Sequence, residues 1–164
     1  LGFIFKNVTI SKIYIFLIAI ILFSGCSNIS LEKEMEYYPN GAKKRELTYK
    51  GNKLQMTLVK LVDYYNELNS ENPQKISELN YENSSLNGEQ EYWYSNGTKK
   101  MVLKYRYGLM HGEQLGWHNN GKNKFKQNYN FGNLEGIQYS YDNSGSLDRK
   151  KLYKNGKLIR IIKD

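Results

Sequence analysis

Three stretches decide the fold of this chain: GEQEYWYSNG from Gly88, GEQLGWHNNG from Gly112 and GIQYSYDNSG from Gly136. They align without gaps at steps of 24 residues. Other positions keep the same step: Gly97, Gly121 and Gly145; Gly108, Gly132 and Gly156; Gln90, Gln114 and Gln138; Trp93, Trp117 and Tyr141; Tyr105, Tyr129 and Tyr153. Of the glycines from residue 88 onward, only Gly116 falls out of phase. A fixed period of roughly 20–50 residues marks stacked supersecondary units. Asn-Gly and Asn-Asn-Gly tips supply the positive φ that hairpin turns need. After the tip, Met101, Leu103 and Tyr105 alternate and therefore share one face; Phe125, Tyr129 and Phe131 are expected to do the same. The glycine pairs Gly108/Gly112 and Gly132/Gly136 then turn the chain into the next hairpin. A lone hairpin is marginal in water, so neighbouring units must pair edge to edge.

Upstream the pattern continues in worn form. A Tyr follows the turn residue by eight positions each time, 41 to 49, 73 to 81, 97 to 105, 121 to 129 and 145 to 153, which gives five units over residues 37–160. The first step, from Gly41 to Pro73, holds eight extra residues. Within it Leu54, Leu58, Leu61, Tyr65 and Leu68 step by 4, 3, 4 and 3, the spacing of one helix face. This predicts a helix over about 54–69 laid against the sheet. The rival reading is a longer hairpin through Met56–Val62. The expected fold is mainly β: an elongated, single-layer antiparallel sheet of repeated hairpins with one inserted helix. Its core is expected to be a ladder of aromatics and Leu. The charges around Lys157-Leu158-Ile159-Arg160 are expected to blunt the last edge, with residues 161–164 as a tail.

Composition agrees with strands and tight turns. The chain has 164 residues, 40% hydrophobic and 24% charged, which excludes a disordered polyampholyte and a multispan membrane protein. It holds 15 Tyr, 14 Gly and only 2 Pro. One Cys and two His leave no internal disulfide and no four-ligand zinc cluster, so neither a metal nor a cofactor is expected. Gly88, Trp93-Tyr94-x-Asn96-Gly97, Tyr105, Gly108 and Gly112, with their copies 24 residues on, resemble the MORN repeat (membrane occupation and recognition nexus) in its bacterial variant. The resemblance implies the hairpin-sheet fold. It speaks less to function, because such repeats occur in scaffolds, membrane-junction proteins, regulatory regions of lipid kinases and bacterial antitoxins of the YwqK-like family.

The start of the chain reads as an address. Lys6 and Lys12 precede an unbroken apolar run from Ile13 to Phe23 (IYIFLIAIILF). Eleven residues span about 16 Å as helix, too short for a bilayer core of about 30 Å. A basic start, a short apolar stretch and small residues are the layout of a secretory signal. Phe23-Ser24-Gly25-Cys26 resembles the lipobox of bacterial lipoproteins. That resemblance implies residues 1–25 as a signal peptide with a signal helix, and cleavage before Cys26. It further implies acyl chains on Cys26 that hold the protein on a membrane of the bacterial envelope. Ser27 is compatible with outer-membrane sorting. Residues 26–36, mostly polar, are expected to be a tether from lipid to fold.

Sites of chemistry are sparse. Gly116-Trp117-His118-Asn119-Asn120-Gly121-Lys122-Asn123 spells G-x-x-x-x-G-K, but a phosphate loop needs Ser or Thr after the Lys and a strand-to-helix setting. The period already accounts for Gly121. His111 and His118 do not repeat, and Glu89 and Glu91, two apart on a strand, read as a charged sheet face more readily than as an acid–base pair. No Ser/His/Asp constellation stands out, so an enzyme is not expected. The chain carries a net charge of +8, and residues from 88 onward hold 14 Lys+Arg against 7 Asp+Glu. The basic residues cluster after the tips at Lys99, Lys100, Lys122, Lys124, Arg149 and Lys150. Two readings stand side by side: a positive stripe that attracts anionic lipid, glycan or an acidic protein, or charges that only solvate strand ends. Nucleic acid is not an expected partner of an exported protein. The candidate binding surface combines these cations with Trp93, Trp117, Tyr141, Tyr105, Tyr129 and Tyr153. The expected function is a lipid-anchored, non-enzymatic repeat protein that binds a protein partner through its sheet face. The alternatives are neutralisation of a toxin, and binding of anionic lipid or glycan through the basic hairpin edge.

Overall fold

The structure, a computed structural model, describes residues 29–52, 55–67 and 70–163. In chain order its strands are β1 (Ser30–Tyr37), β2 (Lys43–Asn52), β3 (Gln55–Tyr64), β4 (Lys75–Glu82), β5 (Ser85–Leu86), β6 (Gly88–Trp93) and β7 (Lys99–Arg106). Then follow β8 (Leu109–Met110), β9 (Gly112–Trp117), β10 (Asn123–Asn130), β11 (Asn133–Leu134), β12 (Gly136–Tyr141), β13 (Leu147–Lys154) and β14 (Lys157–Ile162). All pair antiparallel in one open sheet, in the order β1-β2-β3-β4-β6-β7-β9-β10-β12-β13-β14. The short strands β5, β8 and β11 branch off β4, β7 and β10.

The repeating unit follows from its turns. At four of the upper tips the chain closes the same two bonds, in one of them Tyr94 N–H to Thr98 O (2.9 Å) and Gly97 N–H to Tyr94 O (3.0 Å). The same pair recurs at Tyr38–Ala42, His118–Lys122 and Asp142–Ser146. Gly97 sits at φ +82, in the left-handed region where a Cβ is strained. At the lower edge, two-residue turns place Asn83-Ser84, Tyr107-Gly108, Phe131-Gly132 and Asn155-Gly156 at positive φ, the type I′ geometry of tight hairpins. Tyr105 lies opposite Gly88, Tyr129 opposite Gly112 and Tyr153 opposite Gly136, so the periodic Tyr and Gly share one cross-strand register.

The deepest side chains are polar. Gln90 (0% exposed) and Gln114 (1%) are more buried than any aliphatic residue among the described ones, and Gln138 is buried too. Their role lies in the branches. β4 pairs with β6 only at Ser77↔Tyr92 and Glu78↔Glu91, then folds back on itself through β5. That fork leaves the N–H of Asn80 without a backbone partner, while its carbonyl accepts from Asn87 N–H in the branch (3.0 Å). The Gln90 carboxamide supplies one: its Oε1 accepts from Asn80 N–H (2.6 Å) and its Nε2 donates to Asn80 O (3.1 Å). Gln114 does the same for Lys104 (2.7 and 3.0 Å) and Gln138 for Asn128 (2.8 and 3.3 Å). Leaving such groups unpaired would cost about 1–3 kcal/mol each. Ala42, Val62, Tyr64, Val102, Ser77 and Gly116 complete the buried set among the described residues.

Several expectations are corrected. Among the described residues there is no helix. The stretch expected as helix 54–69 is strand β3 from Gln55 to Tyr64, the rival hairpin reading, followed by an irregular segment at 65–67; Leu54 and Leu68 lie outside the described residues. β3 carries a bulge: Leu58 pairs with Tyr49 and Lys60 with Thr48, leaving Val59 extra. The extra residue puts Leu58 and Leu61 on one face three positions apart, so a bulged strand imitates a helical step. Residues of the expected tether form β1, whose Glu32, Glu34 and Glu36 alternate with Leu31, Lys33 and Met35 in strand rhythm. Phe131 is not on the strand face with Tyr129. β10 ends at Asn130, and Phe131 stands in the left-handed turn that follows. β14 continues through Ile162, into the residues expected as a tail. The signal segment 1–25 with its helix, and the lipidation residue Cys26, lie outside the described residues.

Candidate interaction surface

The end of every second strand is built alike. Trp93, Trp117 and Tyr141 are the last residues of β6, β9 and β12, all half-buried. Their carbonyls receive one hydrogen bond each from the neighbouring tip. Tyr65 Oη–H donates to Trp93 O (3.3 Å), Tyr94 Oη–H to Trp117 O (2.9 Å), and His118 Nε2–H to Tyr141 O (3.1 Å). At the N-terminal end Tyr38 Oη–H reaches Tyr64 O in the same way (3.0 Å). His118 is therefore the fourth unit's substitute for a tyrosine, and its Nε2 carries the proton because a carbonyl only accepts. Asn96 and Asn120 add a second tip-to-tip bond, to Asn119 O (3.0 Å) and Asn143 O (2.7 Å).

On one face of the sheet the tyrosines run together. Tyr92 pairs with Met101 and Tyr105 with Gly88, and Tyr129 and Tyr153 hold the sites equivalent to Tyr105. Burial, then the neighbouring Tyr105 and Tyr81, pushes the Tyr92 phenol up. Burial, then Tyr105 and Tyr153, does the same to Tyr129. Among the described residues none of the hydroxyls of Tyr81, Tyr92, Tyr105, Tyr129 and Tyr153 has a hydrogen-bond partner, and all five side chains are half-buried. The result is a row of amphipathic rings with unused polar ends.

The cations do not form one stripe. Lys99 pairs with Glu91 (2.9 Å), and Lys75 lies over the Trp93 ring (5.6 Å). Lys100 lies over the Tyr94 ring (5.5 Å), and Lys122 Nζ donates to Ser144 O on the next tip (2.6 Å). Lys124, exposed, is the extra residue between Asn123↔Trp117 and Phe125↔Gly116. Arg149, beside Asp148 (3.4 Å), and Lys150 are consecutive in β13 and so project to opposite faces. The structure thus spreads these six residues over tips, bulges and both faces.

The remaining sequence candidates resolve as follows. Glu89 and Glu91 share a face, but each pairs with its own lysine across the strand pair, Glu89 with Lys104 (3.1 Å) and Glu91 with Lys99. Gly121 belongs to a tip turn and Gly116 lies under a phenyl ring, with no helix after Lys122. His111 stacks tilted on Phe131 (4.4 Å), with a buried Nδ1 that has no hydrogen-bond partner in the described residues. It lies before β9 and His118 after it, so the two histidines flank opposite ends of one strand. Near the lower edge Glu82, Asn87, Lys104, Arg106, Tyr107 and His111 line a depression of about 380 Å³. Its polar groups are already paired in part, Glu82 with Asn87 and Lys104 with Glu89. The reading from sequence missed the exposed cluster Tyr107, Leu109 and Phe131 at the lower turns, and Arg106, whose guanidinium lies over both rings (5.4 and 5.8 Å). Positive φ at a bulky residue is a rare choice that composition does not announce.

Among the described residues no helix is long and apolar enough to cross a membrane. No curated protein was found to match the chain. The model of the MORN repeat variant matches residues 33–50, 110–131 and 134–155. The first span covers most of the β1–β2 hairpin, the second runs from β8 to the turn at Phe131, and the third from β11 to Asn155. Hairpin period, glycine-bearing turns and matched spans agree: the chain is a MORN-repeat protein.

Proposed function

We propose that this MORN-repeat protein is a lipid-anchored, non-enzymatic binding protein of the bacterial envelope that holds a protein partner on its tyrosine-bearing sheet face. The observation that carries the reading is the row Tyr81, Tyr92, Tyr105, Tyr129 and Tyr153, whose hydroxyls have no partner among the described residues. Tyrosine is enriched where protein surfaces meet, because its ring buries apolar area while its hydroxyl finds a donor or acceptor on the partner. Anchoring rests on the Phe23-Ser24-Gly25-Cys26 motif. Two or three acyl chains, at about 0.8 kcal/mol per buried CH₂, hold a protein on a bilayer durably.

The test uses the full chain expressed in a bacterial host. Fatty-acid labelling should be present in the wild type and absent in Cys26→Ala; label that persists overturns the anchor. For the face, capture from envelope extract is compared between wild type and Tyr105→Phe/Tyr129→Phe/Tyr153→Phe, which keeps packing and removes only hydroxyls. A partner retained by the wild type and lost by the triple variant supports the reading, and a toxin as that partner would assign an immunity role. Equal capture by both, or retention only on anionic vesicles, overturns it.

A further inference from the structure

Among the described residues β1 and β14 are the two edges of the sheet, and their chemistry is opposite. β14 reads KLIRII. Its Leu158 (48% exposed), Ile159 (56%) and Ile161 (56%) stand open, so the edge that charge was expected to blunt is largely apolar. From Arg149 to Lys163 every charged side chain is basic. β1 reads SLEKEMEY, with Glu32, Glu34 and Glu36 on one face and the exposed Leu31 (51%) on the other. Glu36 is within reach of Lys44 (3.7 Å) and Arg45 (3.8 Å), but neither Glu32 nor Arg160 has an ion-pair partner among the described residues.

β14 also differs from its own repeat. Arg160 and Ile162 stand 24 residues after Gly136 and Gln138, the glycine and glutamine of the branch. Without them the strand does not fork but runs along β13, from Lys154↔Lys157 to Lys150↔Ile162. A bulge at Ile159 divides it, since Leu152 pairs with Arg160 and Tyr153 with Leu158. The segment Arg160–Ile162 therefore presents a regular, apolar and basic edge.

We propose that this edge takes β1 of a second copy of the chain, so that copies join head to tail into a longer sheet. Charge selects this joint over the two symmetric ones. β14 against β14 brings together two strands whose charges are all basic, and β1 against β1 brings three glutamates onto three; like charges placed opposite are destabilising. β14 against β1 sets Arg160 opposite Glu32. With the strands antiparallel, the same register sets Ile161 opposite Leu31, an apolar pair beside the ionic one. The joint is heterologous, so a joined pair keeps one free edge of each kind and growth continues. The inference does not rest on the tyrosine face, which stays uncovered in such an array.

The test is cross-linking of the full chain in non-ionic detergent, with Cys26→Ser leaving only introduced thiols. β1 and β14 are separated by ten strand steps, about 48 Å, so a bond between Leu31→Cys and Ile161→Cys joins different copies. Mild oxidation should give a ladder of oligomers bonded 31 to 161. Arg160→Glu should slow it about tenfold, and Glu32→Arg in the same chain should restore it. Raising the salt should slow the parent reaction, because the pair is exposed. Both charge sites are on edges, and circular dichroism checks that each variant keeps its strands. Monomer only, bonds mainly 161 to 161 or 31 to 31, or a ladder indifferent to Arg160→Glu overturns the proposal.

Discussion

Gln114 shows how one side chain holds the repeat together. It is 1% exposed and bonds both peptide groups of Lys104, with a third bond from its Nε2 to Gly112 O (3.1 Å). Gln114→Leu keeps the volume but strands the Lys104 N–H in the interior, while the Lys104 carbonyl keeps its bond from His111 N–H (2.9 Å). We expect a loss of about 2–4 kcal/mol in urea unfolding, with strand content intact at zero denaturant. Its periodicity is plain in the sequence, but its purpose is not, because a fork in pairing is a property of two strands and not of one residue. Gly116, the glycine out of phase, has a similar explanation. A Cβ there would lie 2.2 Å from the Phe125 ring, which covers its bare backbone. Gly116→Ala should cost about 1–3 kcal/mol, and Phe125→Ala in the same chain should make the double variant more stable than the summed single losses. Additive losses in a double-mutant cycle would show that the ring can move aside.

At the scale of elements, the lower turns separate into two kinds. Asn83 and Asn155 fill the left-handed first corner in two of them, the residue type that tolerates it; Tyr107 (φ 53) and Phe131 (φ 43) fill it in the others. Tyr107 is 69% exposed and gains little packing in return. Tyr107→Asn should therefore raise stability by roughly 0.5–1 kcal/mol, read as a higher melting temperature. The pairing of β2 and β4 with their neighbours also fixes the response to acid. Burial pushes the Glu46 carboxyl up, but the bond and charge of Lys33, with Lys43 and Tyr64, outweigh it and leave the group below its ordinary 4.5. Glu78 is lowered in the same manner against its burial, by Lys60 and Lys75. A carboxylate lowered in the folded state stabilises above its unfolded pKa; as the pH falls below about 4.5 the unfolded chain takes up protons first and stability drops. Urea midpoints should be flat from about pH 7 to 5 and fall below that, and Glu46→Gln should flatten the acid limb. Their neighbours β1 and β3 were the least legible elements. The bulge at Val59 disguised β3 as a helix face, and the charge of β1 disguised an edge strand as a tether.

At the scale of the molecule, the period was legible because each unit solves the same problem. Each forked unit must close a tip, turn at its glycines and mend a fork with the few side chains suited to it, so the same residues return at the same step. Partner and register of the outer strands were not legible, since pairing depends on neighbours that differ at the ends. The claim that units are interchangeable can be tested by removing one. Deleting Gly112–Glu135 takes out 24 residues and joins His111 to Gly136. His111 and Glu135 occupy equivalent places: His111 N–H bonds Lys104 O and Glu135 N–H bonds Asn128 O, both at 2.9 Å. In the shortened chain Gln138 therefore meets the peptide groups of Lys104 as Gln114 did. We expect a strand-rich circular dichroism spectrum, one cooperative urea transition and a smaller m-value, because less surface is exposed on unfolding. Deleting Gly112–Phe131 instead removes 20 residues, an even number that preserves the alternation of faces but moves every later turn and glutamine by four. That chain should lose its cooperative transition. If both deletions fold equally well, alternation alone builds this sheet and the forks held by glutamine are dispensable; if neither folds, the units are not independent enough to be called repeats in the energetic sense.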